Sequence, residues 1–551
     1  MHTLPTFALL LFSLLLHLAR SASITQTWNL TWLHTSPSGL SHRPLISVNG
    51  AWPPPILVVA LGDTLHIRVV NSLGNESTSI HWHGQHQVGT PQMDGASGAT
   101  QCGIPPGGEF EYVFEAGPAG SYWWHSHNKG QYPDGLRGPL VVRDTERERL
   151  WGVEGEMAVT VADWYDEEMP GLLHAYLTGE TEGREPVPNA SLINEARTAR
   201  FEVESGKTYL VRVISMSALA AHFLRIEDHD VTVVAIDGIP VEPAQTTSIR
   251  LSAGQRYDVL LHTKSNPTRN YALISRMDRL ELQSRGQQPP PDATELYTNH
   301  GIVSYSAEFP DPSPLSPNET NFRPLNDMDL VPADGEELLG PVDEHITLTT
   351  SFTNRAGVGP RFSLCPHPYV SPLVPSLYTL YTLRALSTNP AVYGPAVCPF
   401  VVPHNAVVQI AVLNADDGPH PLHLHGHHFQ VAGRGAGEWD GDEEALSKVP
   451  IRRDTVNVAP RGWVVVRFRA GNPGVWLFHC HMEFHLQAGM QVTIVEAPEM
   501  IGQETPLYAD SEIQNCHALG LEAAGNCAGN VEDPLESSDC RRELTERDFW
   551  G

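Results

Sequence analysis

Short apolar runs recur along the chain, most of them β-branched and punctuated by Pro and Gly. Residues 56–60, 64–70 and 139–142 are such runs. Short strands at that spacing predict a β-sandwich over 24–145. Residues 209–214, 231–236 and 257–261 repeat the texture, which predicts a second strand-rich domain over 150–305. A segment over 306–343 is rich in Pro, Asp and Ser, and Pro310, Pro312, Pro314 and Pro317 oppose regular structure there. A third strand-rich domain follows over 344–498, then a tail over 499–551. The fold class expected is all-β, and a chain of 551 residues is too long for one domain.

The run 474–490 carries the chemistry. It begins as an extended aromatic and β-branched strand, in which neighbouring side chains point to opposite faces. His479 and His481 then share one face and Cys480 takes the other, so two short backbone paths join a thiolate to two imidazoles. His485 follows four residues after His481, and Met490 five residues later. Thiolate, imidazole and a weak thioether form the ligand set of a blue-copper electron-transfer site. The second imidazole comes from His420, beside His423 and His425. Four His-x-His pairs exist in all: His81/His83, His125/His127, His423/His425 and His479/His481. One such pair arises easily among 27 histidines. Four, one of them built around a cysteine, point to a three-copper cluster beside the single site.

These segments resemble the copper motifs of the multicopper oxidases, the family of laccases, ascorbate oxidases and ferroxidases, from about residue 25 to about residue 500. The resemblance implies three cupredoxin-like β-sandwich domains and four copper ions. His420, Cys480, His485 and Met490 would hold type 1 copper. His81 and His423 would hold type 2. His83, His125, His127, His425, His479 and His481 would hold the type 3 pair, where O2 becomes water. The cluster would lie between the first and third domains, with the second as a spacer shaping the substrate face. Asp94 and Glu483 match the family's acidic proton relays, although Asp94 before Gly95 also suits a plain turn.

The resemblance is closest to fungal iron-uptake ferroxidases and laccase-like enzymes of pigment pathways. Glu185, Tyr369 and Asp416 match positions of the ferroxidase donor site; Asp278 aligns in a region where ferroxidases have several acids, and the next acidic position there is Gln283 in this chain. Glu185 before a Pro-rich turn and Asp416-Asp417-Gly418 also suit ordinary loops. An axial Met, an incomplete acidic set and the absence of a C-terminal anchor favour a laccase-like oxidase of phenols or naphthols. The alternatives are a ferroxidase acting on Fe(II) and a non-catalytic copper carrier; a carrier has no need of the eight paired histidines.

Composition bounds the setting. Lys and Arg number 35 against 64 Asp and Glu, a net charge of −29. So acidic a chain lacks the basic patch of a nucleic-acid binder. Residues 1–22 suit a secretory signal peptide, with an apolar run over 7–16 too short to span a bilayer. No later stretch suits a transmembrane helix, so a secreted or secretory-vesicle monomer is expected. Asn29, Asn75, Asn189 and Asn318 lie in glycosylation sequons. Setting Cys480 aside leaves six cysteines, enough for three disulfides. Cys365 and Cys398 pair by proximity, and family resemblance ties Cys102 to Cys516 or Cys540.

Overall fold

The computed structural model describes residues 21–284, 297–313, 322–355, 359–501 and 509–543. The expected signal peptide and the sequon at Asn318 fall outside those residues, apart from the extreme end of the former. Three cupredoxin-like units follow one another, each built on paired sheets. In the first, Arg43–Val48, Ser23–Thr35, Thr64–Asn71 and Glu109–Glu115 form one sheet. Leu57–Ala60, Arg137–Arg143, Gly120–His125 and His81–His83 form the other. Period-two burial explains the layering: Phe110, Tyr112 and Phe114 point inward, while Glu109, Glu111 and Glu115 stay in water. Trp28, Trp82 and Trp124 fill the space between the sheets.

The middle unit pairs a six-stranded with a five-stranded sheet. The third pairs two five-stranded sheets. One of these holds Gly474–Cys480 at its centre, between Gln491–Glu496 and His420–Leu424. That strand is buried along its whole length, which suits its continuous apolar composition. The 322–343 stretch is largely irregular, yet it sends Asp327 into a buried ion pair with Arg453.

Disulfides join Cys102 to Cys516, Cys365 to Cys398 and Cys527 to Cys540, and Cys480 is buried and takes no part in a disulfide. The first of these fastens the tail helix Asp510–Ala518 to the first unit. Among the described residues no helix is long and apolar enough to cross a membrane.

Candidate metal centres

Strand register assembles both centres. His81 lies opposite His125 in one antiparallel pair, and His423 lies opposite His479 in another. Leu422 faces Cys480 in the same ladder, so the Cys480 side chain leaves on the other face from its two histidine neighbours. The chain then turns into the short helix Glu483–Gln487, which returns His485 towards Cys480. The Cys480 amide donates to the Met490 carbonyl at 3.0 Å, which anchors the Met490 backbone, and both side chains lie in the same apolar core.

At the single site, Cys480 Sγ is 3.5 Å from His485 Nδ1 and 3.8 Å from His420 Nδ1, and the two Nδ1 atoms are 3.1 Å apart. All three residues are buried. The opposite ring nitrogens are committed outward. His485 Nε2 donates to Glu185 Oε1 at 2.9 Å, and His420 Nε2 donates to Asp416 Oδ2 at 3.1 Å. With both ring protons held on Nε2 and directed at the carboxylates, both Nδ1 lone pairs face each other and the sulfur. Such convergence suits a cation and little else.

The eight histidines of the four pairs come together in one cluster. His81 stacks on His425 at 3.9 Å and His83 on His423 at 3.8 Å between ring centroids. Five rings donate Nδ1–H to fixed oxygens: His81 to Asp94 O, His125 to Ser126 O, His423 to Asp454 O, His425 to Asp94 Oδ2 and His479 to Cys480 O. Their Nε2 atoms are therefore lone-pair donors aimed inward. His425 Nε2 and His479 Nε2 stand 3.0 Å apart. The Nε2 atoms of His81, His125, His127 and His423 are buried without a hydrogen-bond partner. Burial holds the imidazoles of His83, His125, His425, His479 and His481 well below their usual range, and that of His127 down to about 3. Neutral, desolvated imidazoles with orphaned lone pairs fit copper.

Asp94 ends the single turn Pro91–Met93, and its carboxylate also accepts from His425 of the cluster. Gly95 behind it has φ +86°, and a Cβ there would meet Ile80 O at 1.8 Å; only glycine lets the turn lie this close to the His81 strand. Glu483 is buried, and burial pushes its carboxyl up to about 7. It borders, with His125, His127, His479 and His481, a void of about 10 Å³. His127 alone of the eight is half-buried. It also lines a cavity of about 200 Å³ with Lys129, Gln487 and Arg541.

The other expected donor residues separate. Glu185 and Asp416 reach the single site and are not idle loop residues. Asp278 instead accepts from Arg250 Nε at 3.0 Å and from the amides of Leu280 and Glu281 that start the helix Arg279–Ser284. Tyr369 is buried, and its phenol is pushed upward by that burial. Sequence reasoning passed over Asp454 and Arg256. Asp454 accepts from His83 and is clamped by Arg256. No local spacing signals either residue.

Multicopper oxidase family models match residues 29–147, 155–306 and 369–500. The iron transport multicopper oxidase fetC of Epichloe festucae is 42% identical over 535 residues, covering 95% of this chain and 84% of that protein. The iron transport multicopper oxidase FET3 of Gibberella zeae is 39% identical over 534 residues, covering 96% and 84%. The crystal structure of Fet3p, a multicopper oxidase that functions in iron import, matches with a TM-score of 0.89 at 31% identity, covering 95% of this chain and 99% of that one. A laccase from Botrytis aclada matches at 0.75 and 23%, covering 90% and 91%, which speaks for the shared fold alone. The chain belongs to the multicopper oxidases. It is a copper oxidoreductase with O2 as acceptor, carrying one type 1, one type 2 and two type 3 coppers. The expectation of a laccase-like oxidase of phenols is overturned, because the relatives at 34–42% identity are iron transport oxidases. The error lay in weighing a Met and one missing acid above two carboxylates that the fold delivers to the single site.

Proposed function

We propose that this multicopper oxidase is a ferroxidase, passing electrons from Fe(II) to O2. The observation that carries the proposal is the pair Glu185 and Asp416. Each holds the outer Nε2 of one histidine of the single site, and the inner nitrogens of those histidines face Cys480. Carboxylate oxygens suit a hard iron ion. The iron transport names of the relatives support the same donor.

In this reading His420, Cys480, His485 and Met490 hold type 1 copper. His81 and His423 hold type 2, and the remaining six cluster histidines hold the type 3 pair. Bound copper supplies one-electron acceptance at the Cys480 site and four-electron reduction of O2 at the cluster. Four Fe(II), one O2 and four protons then give four Fe(III) and two waters. Glu185 and Asp416 bind and position Fe(II), and their hydrogen bonds to His485 and His420 give the shortest path inward. The Cys480 backbone continues that path to His479 and His481. Glu483, with its carboxyl at about 7, holds a proton against the void beside His479 and His481. Asp94 Oδ2 accepts from His425 Nδ1 and serves as a second acidic relay beside the cluster. The cavity at His127 offers O2 its approach. Three disulfides suit a secretory or extracellular location.

Oxygen uptake tests the proposal directly. Fast uptake with Fe(II), and a loss confined to Fe(II) when Glu185 and Asp416 are changed to Ala, is the expected result. Absence of Fe(II)-driven uptake by the copper-loaded parent would overturn it.

A further inference from the structure

The middle unit was expected to be a spacer, yet one of its turns forms a wall of the histidine cluster. Gly254 has φ +80°, and a Cβ there would stand 2.9 Å from His481 Cδ2 and 3.0 Å from His83 Cε1. The next residue, Gln255, donates Nε2 to the Thr455 carbonyl at 3.0 Å. Arg256 begins the strand Arg256–His262 and is wholly buried. Its guanidinium donates Nη1 to Asp454 Oδ1 at 2.6 Å and Nη2 to Asp454 Oδ2 at 2.5 Å, a bidentate fork. Nε goes to Ser121 O at 3.0 Å, and Nη1 also reaches Gly254 O at 2.9 Å. One side chain thus ties the middle unit to the first and the third.

The clamp matters because of what Asp454 does next. Its Oδ1 accepts His83 Nε2–H at 3.1 Å and the Thr455 hydroxyl at 2.8 Å. The ring proton of His83 therefore sits on Nε2, and Nδ1 is the bare lone pair, facing His481 Nε2 at 3.2 Å. Five neighbours do the reverse, holding the proton on Nδ1 against fixed oxygens. His83 is turned because its acceptor, Asp454 Oδ1, stands at Nε2.

We propose that Arg256 is a positioning residue of the cluster: it fixes the Asp454 carboxylate on His83 Nε2 and so presents His83 Nδ1 to copper. A buried carboxylate without its fork would be free to rotate or draw in water, and the His83 ring would lose its single orientation. The assignment rests on the copper-ligand reading above and is independent of the electron donor.

The test uses the full-length, copper-loaded protein with Arg256→Lys, which keeps the charge but loses the fork. A second variant pairs Arg256→Met with Asp454→Asn and buries no net charge. Type 1 absorption reports the distant single site. A spin-coupled type 3 pair is silent in EPR, so two of the four coppers, half, are detectable in the parent. The expected result is unchanged type 1 absorption together with a detectable share above one half, or cluster copper that a chelator removes with affinity lowered about 10–100-fold. Parent values of both quantities in both variants would overturn the assignment. Parallel loss of type 1 absorption, or failure of both variants to fold, would make Arg256 a prop of the whole fold and would overturn it equally. None of these readouts involves iron, so a wrong donor would leave them untouched.

Discussion

At the Cys480 site, His420 and His485 turn Nδ1 inward and hand Nε2 to a carboxylate. In the eight-histidine cluster, five rings turn Nε2 inward and hand Nδ1 to Asp94 or a backbone carbonyl. The same side chain is used in opposite senses. Backbone carbonyls do not titrate and cannot move without the strand, so they hold a centre whose geometry must survive four electron transfers. Of the two carboxylates outside the Cys480 site, Asp416 reaches towards solvent with its side chain 26% exposed, whereas Glu185 is 6% exposed and Asp94 behind the cluster 1%. One centre is open to a cationic donor at its outer edge. The other is sealed, apart from the half-buried His127.

The most severe way to break this contrast is Cys480→Ser. It removes the thiolate but leaves all eight cluster histidines, so copper should fall from four to three per chain, with type 1 colour lost and O2 uptake abolished. Metal analysis and EPR check this; loss of cluster copper as well would show that the two centres are not separable.

Glu483→Gln comes next. Its proton is held up to about 7 by burial, so the donating form prevails at lower pH and is lost as pH rises through about 7. O2 reduction in the parent should decline on that limb. The Gln variant should be slower by about 10²–10³-fold, in the range of general acid catalysis, and flat across it. Rapid-mixing reduction of type 1 should stay within about twofold, because the carboxyl serves the sealed side.

Changing Glu185 and Asp416 together to Ala removes the outer contacts of the open side. Hydrogen bonds to charged groups contribute about 1.5–3 kcal/mol each, so kcat/KM for Fe(II) should fall about 10²-fold or more. An outer-sphere organic reductant should lose about twofold or less by the same measure. Equal losses with both donors would mean that the carboxylates tune the centre instead of binding iron.

The smallest effect is expected from Tyr369→Phe. Tyr369 is buried and lines the cavity at His127, so kcat/KM for Fe(II) should change by about twofold or less, as for a group outside the transition state. A tenfold loss would return Tyr369 to the donor site where its sequence position put it.

The strands over 64–70, 231–236 and 474–480 were legible because short β-branched and aromatic runs are a local property of the chain. So were the four His-x-His pairs, since residues i and i+2 on a strand must share a face. The reach of His485 back to Cys480 needed only a short helix. The outer partners were not legible in this way. Glu185 meets His485 across 300 positions, His83 meets Asp454 across 371 and Arg256 meets Asp454 across 198. No spacing rule links such pairs. Glu185 and Asp416 were named from resemblance and weighed against ordinary turns, and Asp278, named from a region where ferroxidases carry several acids, pairs with Arg250. The sequence by itself determined which atoms could bind copper, because ligand type and strand periodicity are written locally. Only the tertiary structure decided which nitrogen of each histidine faces inward and which carboxylates stand outside. Those choices depend on what the packing of three units places behind each ring.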